Sequence, residues 1–342
     1  MSGESSSPAA WWSLLEPAPA ELFFSRDDPE DPRLGDVVQR WSGGPIKLRA
    51  GQPVIIGFPC DEGVRRNSGR PGAAAAPRAI REQFYRFTSW ELPMPGLPEP
   101  RNPNALERLA ILDAGDVKVN GTLEDAQQRL AEVVASVLRA EAVPVILGGG
   151  HETAFGHYLG YVAAEIDCAI INVDAHLDVR PYPSGGHSGS PFRQAFEHTA
   201  RPLGHGRYTV IGAQPQSTAR AHWDYVHDHG GRVHWMNCTP WTERCRQALS
   251  AEIHCLQEQR CGGMLTVDAD AFRQADVPGV SAPNATGLES DLGPELAVLA
   301  GISPEIRSFE LVEVNPCHDR DSQTARWAAL CVRRFLSGLA RR

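Results

Sequence analysis

Six short runs of apolar, largely β-branched residues, each closed by turn residues, constrain this 342-residue chain more than any other feature. They are PVIIGFP at 53–59, VPVILGGG at 143–150, CAIINVDAH at 168–176, YTVIGAQ at 208–214, GMLTVDAD at 263–270 and FELVEVNP at 309–316. Apolar runs this short read as strands buried on both faces. Stretches with apolar residues at helical spacing lie at 76–87, 123–141, 153–165, 217–229, 242–259 and 326–340. Strand and helix therefore alternate, which predicts βαβ units and a mostly parallel sheet covered by helices. At 42% hydrophobic and 22% charged residues the chain has the material for one large core. Residues 11–342 are expected to form a single domain, preceded by a Ser-, Gly- and Pro-rich segment, 1–10, expected to be disordered.

Charge and cysteine usage exclude several classes. A formal net charge of −9 disfavours a nucleic-acid or anionic-membrane partner, since either needs a basic face. The eight cysteines contain no C-x-x-C pair, so neither a zinc knuckle nor a thioredoxin-like motif is present, and reduced thiols in a cytoplasmic protein are expected. The N-terminus lacks a basic segment followed by an apolar core, and no apolar run approaches the ~20 residues of a membrane-spanning helix.

In open α/β sheets, ligands bind beyond the carboxyl ends of the strands, so the strand endings are where chemistry is expected. Three of them carry metal-ligand side chains. VPVILGGG leads through three glycines into His151. CAIINVDAHLD brings Asp174, His176 and Asp178 at alternate positions, and LTVDAD brings Asp268 and Asp270. Side chains two apart on a strand share a face, so each set converges. Read singly, a His after a glycine turn or an Asp at a strand exit is ordinary helix-capping chemistry. Together, four carboxylates and two imidazoles on one sheet edge repel unless cations neutralise them. An oxygen-rich set suits Mn²⁺ better than a lone Zn²⁺, and two such ions can hold a bridging water of lowered pKa. Hydrolysis is the expected chemistry.

The motifs GGGHE, DAHLD, DAD followed by VPGVSAPNATG, and EVNP, in this order from about residue 53 to the C-terminus, resemble those of the ureohydrolase (arginase/agmatinase) superfamily. The resemblance implies a three-layer α/β/α fold with a parallel sheet of about eight strands. It also implies two Mn²⁺ per subunit held by His151, Asp174, His176, Asp178, Asp268 and Asp270, and a homo-oligomer. The finer text, DEGVRRNSGRPGA at 61–73, triple-glycine GGGHE, Arg180 after DAHLDV, and SGSPFRQ at 188–194, is similar to the branch that splits N-formimidoyl-L-glutamate into L-glutamate and formamide.

On that expectation a metal-bridging hydroxide attacks the formimidoyl carbon, oriented by Asp178, whose second oxygen accepts its proton. Glu313, in VEVNP, matches the family position that accepts hydrogen bonds from the amidinium. Asp270 or His187 would protonate the leaving amine; the chain has His187-Ser-Gly-Ser-Pro where arginases carry His-Gly-x-Pro, one residue out of step. Arginine is the bidentate partner of a carboxylate, and the substrate carries two. Arg180 and Arg193 bracket the 181–191 loop and are the first candidates, with Arg66 and Arg70 behind them and Asn67 and Gly69 shaping the loop opposite.

Three rivals remain. A guanidino-compound hydrolase releasing urea shares the motifs, although arginines suit the tail of agmatine poorly. A nucleotide-binding module would show a G-x-G-x-x-G after a strand, and none is present. A non-catalytic relative would be expected to have lost ligands.

Overall fold

In the computed structural model, which describes residues 10–100, 102–236 and 241–342, the six expected strands all form, and four more join them. In chain order they are β1 (Leu15–Glu16), β2 (Gln39–Arg40), β3 (Pro53–Gly57), β4 (Leu112–Val117), β5 (Val143–Leu147), β6 (Cys168–Val173), β7 (Tyr208–Ala213), β8 (Arg232–Trp235), β9 (Gly262–Asp268) and β10 (Ile306–Val312). Residues 1–9, most of the segment expected to be disordered, lie outside the described residues, as does Cys238.

The sheet runs β1-β4-β3-β5-β10-β9-β6-β7-β8, with β2 also on β4. The eight strands from β4 to β8 along this order are mutually parallel. Among the described residues the sheet thus has ten strands rather than the expected eight or so. The two additions are two-residue strands from the N-terminal segment, β1 antiparallel and β2 parallel to β4. They pair one edge of the sheet, the usual remedy for exposed strand hydrogen-bonding groups. Segments of two residues, one polar throughout, leave no alternation to read.

Successive side chains on β3 leave opposite faces of the sheet. Val54 and Ile56 join the core beneath the helices Leu123–Arg139 and Thr153–Ala164, through Leu130, Val134 and Tyr161. Ile55 joins the other core, beneath Ala76–Phe84, Trp241–Gln259, Leu292–Ile302 and Gln323–Leu339, through Ile80, Leu249, Leu296 and Phe335. Helices thus cover both faces, giving three layers. The helix Leu123–Arg139 starts with reciprocal bonds, Asp125 N–H to Thr122 Oγ1 (3.1 Å) and Thr122 N–H to Asp125 Oδ2 (3.0 Å). Leu292–Ile302 was hidden in the sequence because eight of its eleven residues are buried, which erases the polar face that marks a helix.

β5, β10, β9 and β6 are consecutive neighbours at the centre of the sheet although far apart in sequence. Their registers pair Leu311 with Leu147, Val312 with Asp268, and Val173 with Val267. The four carboxyl ends are therefore level, and the crevice above them is the topological switch point.

Candidate metal centre and substrate cavity

His151 follows β5, Asp174 follows β6, Asp268 ends β9, and Glu313 follows β10. The glycine turn before His151 has no room for side chains. A Cβ on Gly149 would sit 1.8 Å from the Cys60 carbonyl oxygen, and one on Gly150 would sit 2.1 Å from Glu152 Oε2. Two non-glycine residues of the site hold left-handed backbone, Asp178 at φ 45° and Glu313 at φ 62°. Such conformations cost of order 1–3 kcal/mol and cluster at functional sites. Glu313 is fixed further by accepting the His151 backbone N–H at Oε1, 2.9 Å.

The ligand atoms converge. His151 Nδ1 lies 3.3 Å from Asp174 Oδ2, 2.9 Å from Asp178 Oδ2 and 3.0 Å from Asp268 Oδ2. His176 Nδ1 lies 3.4 Å from Asp174 Oδ1 and 3.3 Å from Asp270 Oδ2. Two overlapping clusters result, His151/Asp174/Asp178/Asp268 and Asp174/His176/Asp270, with Asp174 common to both and the ligand atoms of each within 4.8 Å of one another. Backbone donors fix two of the carboxylates: His176 N–H to Asp174 Oδ1 and Asp270 N–H to Asp268 Oδ1, both 2.7 Å.

These residues fit a pair of hard divalent ions. One ring N–H can satisfy at most one of the three carboxylates around His151 Nδ1, and in fact that buried atom makes no hydrogen bond, nor does Asp270 Oδ1. Donor atoms left unpartnered while facing one another need a common acceptor, namely a cation. Neighbouring octahedral ligands at ~2.1 Å from an ion stand about 3 Å apart, matching the separations above.

The cluster's own charges are otherwise in conflict. Burial, with Asp270 and Asp174 beside it, pushes the Asp268 carboxyl well above its usual range, and burial pushes Asp270 up to about 6. Burial opposes ionisation of Asp174 as well, but the His151 and His176 rings outweigh it and hold that group below the carboxylate range. Asp270 raises the His176 imidazole, against burial. Glu313 is pushed up by burial and then by the charges of Asp268 and Glu152. Glu152 itself, accepting the Gly63 N–H at 2.7 Å, is pushed by burial to about 7.

A cavity of about 270 Å³ opens onto this cluster, and Asn67, Arg70, Asp178, Arg180, Asp270 and Glu313 all line it. Arg180 donates from Nη1 to Asn67 Oδ1 (3.1 Å), and Asn67 Nδ2 donates to Ser188 Oγ (3.1 Å). Arg70 spends much of its guanidinium on the wall, donating from Nε to the Ser281 carbonyl (2.8 Å) and from Nη2 to the Val280 carbonyl (2.6 Å).

Three expected residues are not brought into the cavity. Arg193 donates to Glu197 Oε1 (2.8 Å) and stacks 4.4 Å from the centre of the Tyr225 ring. Arg66 bonds Glu124 (2.6 Å) and the Gly186 carbonyl (3.1 Å), clamping the loop from outside. His187 faces its own loop, with Nε2 3.2 Å from the Pro181 carbonyl and Nδ1 accepting the Gly189 N–H at 3.2 Å. Ser68, Ser188 and Ser281 line the cavity unannounced, since a loop serine carries no signal of which way it faces.

A three-layer α/β/α sheet with paired His/Asp clusters at its carboxyl edge defines the class of binuclear metal-dependent hydrolases. The chain belongs to the arginase family, whose family model matches residues 52–338. It is 36% identical over 333 residues to the formimidoylglutamase of Geobacillus thermodenitrificans (strain NG80-2), covering 94% of this chain and 97% of that protein. It is likewise 36% identical over 320 residues to the formimidoylglutamase of Aeromonas salmonicida (strain A449), covering 91% and 95%. Among solved structures it is similar to the formiminoglutamase of Trypanosoma cruzi with its pair of Mn²⁺ ions, at 31% identity and a TM-score of 0.76 over 91% of this chain and 99% of that one. Among the described residues no helix is long and apolar enough to cross a membrane.

Proposed function

We propose that this protein is a binuclear manganese hydrolase that cleaves N-formimidoyl-L-glutamate to L-glutamate and formamide. The observation that carries the reading is the make-up of one cavity: a cluster demanding cations at its floor, Glu313 beside it, and Arg180 on its wall. A substrate with an amidine at one end and carboxylates at the other matches that polarity. The relatives named formimidoylglutamase, aligned over nearly their whole length, point to the same substrate.

His151, Asp174, Asp178 and Asp268 would hold one ion, and Asp174, His176 and Asp270 the other. Bound there, a pair of divalent ions supplies a water acidified to near neutral pH and charge stabilisation at the reacting carbon. Glu313 accepts hydrogen bonds from the amidinium nitrogens and holds the formimidoyl carbon over the cluster. Asp178 orients the attacking water and takes its proton. Collapse of the tetrahedral carbon to formamide requires a proton on the glutamate nitrogen. The proton that Asp178 takes from the water meets this need, passed to the nitrogen directly or by way of Asp270, since both line the cavity and His187 does not. Arg180, preset by Asn67, pairs with a substrate carboxylate, and Arg70 shapes the wall beside it. The protein is read as a homo-oligomer, which the family resemblance implies, and as cytoplasmic, from its scattered cysteines.

The test is product analysis after incubating manganese-loaded protein separately with N-formimidoyl-L-glutamate, guanidinobutyrate, agmatine and arginine. Formamide and glutamate from the first alone is expected. Urea from any other, with the first inert, would keep the metal site and overturn the substrate.

A further inference from the structure

Behind the metal cluster, on the side away from the cavity, lies a chain of buried polar groups that hydrolysis at the cavity leaves unexplained. His151 Nε2, opposite the ligating nitrogen, lies 3.2 Å from Thr266 Oγ1. The Thr266 hydroxyl donates to Glu310 Oε1 at 2.9 Å. Glu310 Oε2 lies 3.0 Å from His157 Nδ1, and His157 Nε2 lies 2.7 Å from Ser308 Oγ. Ser308 Oγ lies 2.6 Å from the Tyr161 hydroxyl. Thr266, Glu310, His157, Ser308 and Tyr161 are all fully buried.

The fold puts them there by register. Thr266 and Glu310 are cross-strand partners on β9 and β10. His157 and Tyr161 are one turn apart on the helix Thr153–Ala164 and share the face laid over those strands.

Proton counting gives the chain a direction. With Nδ1 turned to the cation site, His151 must carry its hydrogen on Nε2, which donates to Thr266. The single hydroxyl hydrogen of Thr266 passes to Glu310. His157 donates from Nδ1 to the other carboxylate oxygen and accepts at Nε2 from Ser308, while the Tyr161 hydroxyl, beside Ser308, also has the Gly263 carbonyl as an acceptor at 3.1 Å. The donors of Thr266, His157 and Ser308 thus point toward Glu310, whose only ion-pair partner among the described residues is His157. A buried carboxylate without Arg or Lys is expensive, and a structural role alone gives no reason to aim it at the back of a metal ligand.

We propose that Glu310 is a positioning residue for the metal site, acting through Thr266 to fix His151 in the tautomer that ligates through Nδ1 and to strengthen it as a donor. The inference rests on the manganese reading above. Carboxylate partners of ligating histidines do this elsewhere, and their loss costs on the order of 10- to 100-fold in metal affinity.

The test uses the full-length protein stripped of metal and titrated with Mn²⁺ by calorimetry and electron paramagnetic resonance. Glu310→Gln and Thr266→Val should each bind the ion at His151 about 10- to 100-fold more weakly than the unsubstituted protein, while Thr266→Ser, which keeps the hydroxyl, restores binding. In ¹⁵N spectra of the manganese-free protein loaded with diamagnetic Mg²⁺, His151 should be protonated at Nε2, and both disrupting variants should show mixed tautomers. Thr266→Val leaves the Glu310–His157 pair intact, so it decides the matter if Glu310→Gln fails to fold. Folded variants with unchanged affinity and an unchanged His151 spectrum would overturn the proposal and leave the manganese reading standing. Failure of the unsubstituted protein to bind Mn²⁺ would overturn both.

Discussion

Two buried groups of carboxylates sit on this sheet, and they differ in what faces them. On β4, Asp113 and Asp116 meet the guanidinium of Arg81. It donates from Nε and Nη2 to Asp113 (2.8 and 3.0 Å), from Nη1 to Asp116 (2.5 Å) and from Nη2 to the Gly115 carbonyl (3.0 Å). Asp113 also accepts the Tyr85 hydroxyl and the Gly115 N–H. No buried side-chain atom of this group is left without a partner. At the carboxyl ends of β5, β6 and β9 the carboxylates instead face two imidazoles and one another, with His151 Nδ1 and Asp270 Oδ1 unpartnered. One cluster contains its cation and the other is composed to bind one. The first is an element of stability, whereas the second spends stability on a binding site.

The comparison is sharpest at Asp268. Replacing it with Asn removes one of the like charges that push the Glu313 carboxyl up, and Asn can still accept the Asp270 N–H. Asp268→Asn should therefore lose activity by on the order of 10³-fold or more, as removal of a catalytic group does. The metal-free variant should withstand urea at least as well as the metal-free parent. A clear drop in its urea midpoint would show that the cluster is built for stability after all.

Arg81→Met tests the other side. Removing the internal cation strands the buried Asp113 carboxylate beside the half-buried Asp116, which costs roughly 3–5 kcal/mol. Its urea midpoint should fall steeply, yet manganese bound per folded molecule should match the parent. Loss of metal stoichiometry in the folded fraction would mean that the two clusters are one system.

The metal cluster was the more legible of the two. D-x-H-x-D and D-x-D announce acids at two strand exits on one sheet edge, which was enough to expect a metal cluster there, although β6 ends at Val173 and the backbone beyond it, not the strand period that the sequence suggested, brings Asp174, His176 and Asp178 together. The β4 cluster needs the fold: LDAGDV carries two acids and a glycine, which argue against a buried strand until Arg81 arrives from the helix Ala76–Phe84. The loop residues divide the same way. Arg180 directly follows the DAHLDV segment beyond β6 and lines the cavity. Arg193 lies on the short helix Pro191–Phe196, where Glu197, four residues on, captures it. His187 turns inward because the loop's own amide and carbonyl groups bond it, a contact no spacing rule encodes. The Thr266–Glu310 link is invisible for another reason, since it depends on the register between two strands some forty residues apart.

The smallest expected effect probes how far the satisfied cluster is overdetermined. Tyr85→Phe deletes one donor to Asp113 and keeps the ring, which stacks on Phe23 with centroids 4.1 Å apart. Asp113 retains both guanidinium bonds and the Gly115 N–H, so no buried acceptor is left bare and no cavity opens. The loss should be that of one hydrogen bond to a charged group, about 1.5–3 kcal/mol, below that of Arg81→Met. Equilibrium urea unfolding of the two variants side by side measures the order. If Tyr85→Phe costs as much as Arg81→Met, the hydroxyl and not the guanidinium is what keeps Asp113 inside, and the contrast between an internally neutralised cluster and a cation-requiring one would have to be redrawn.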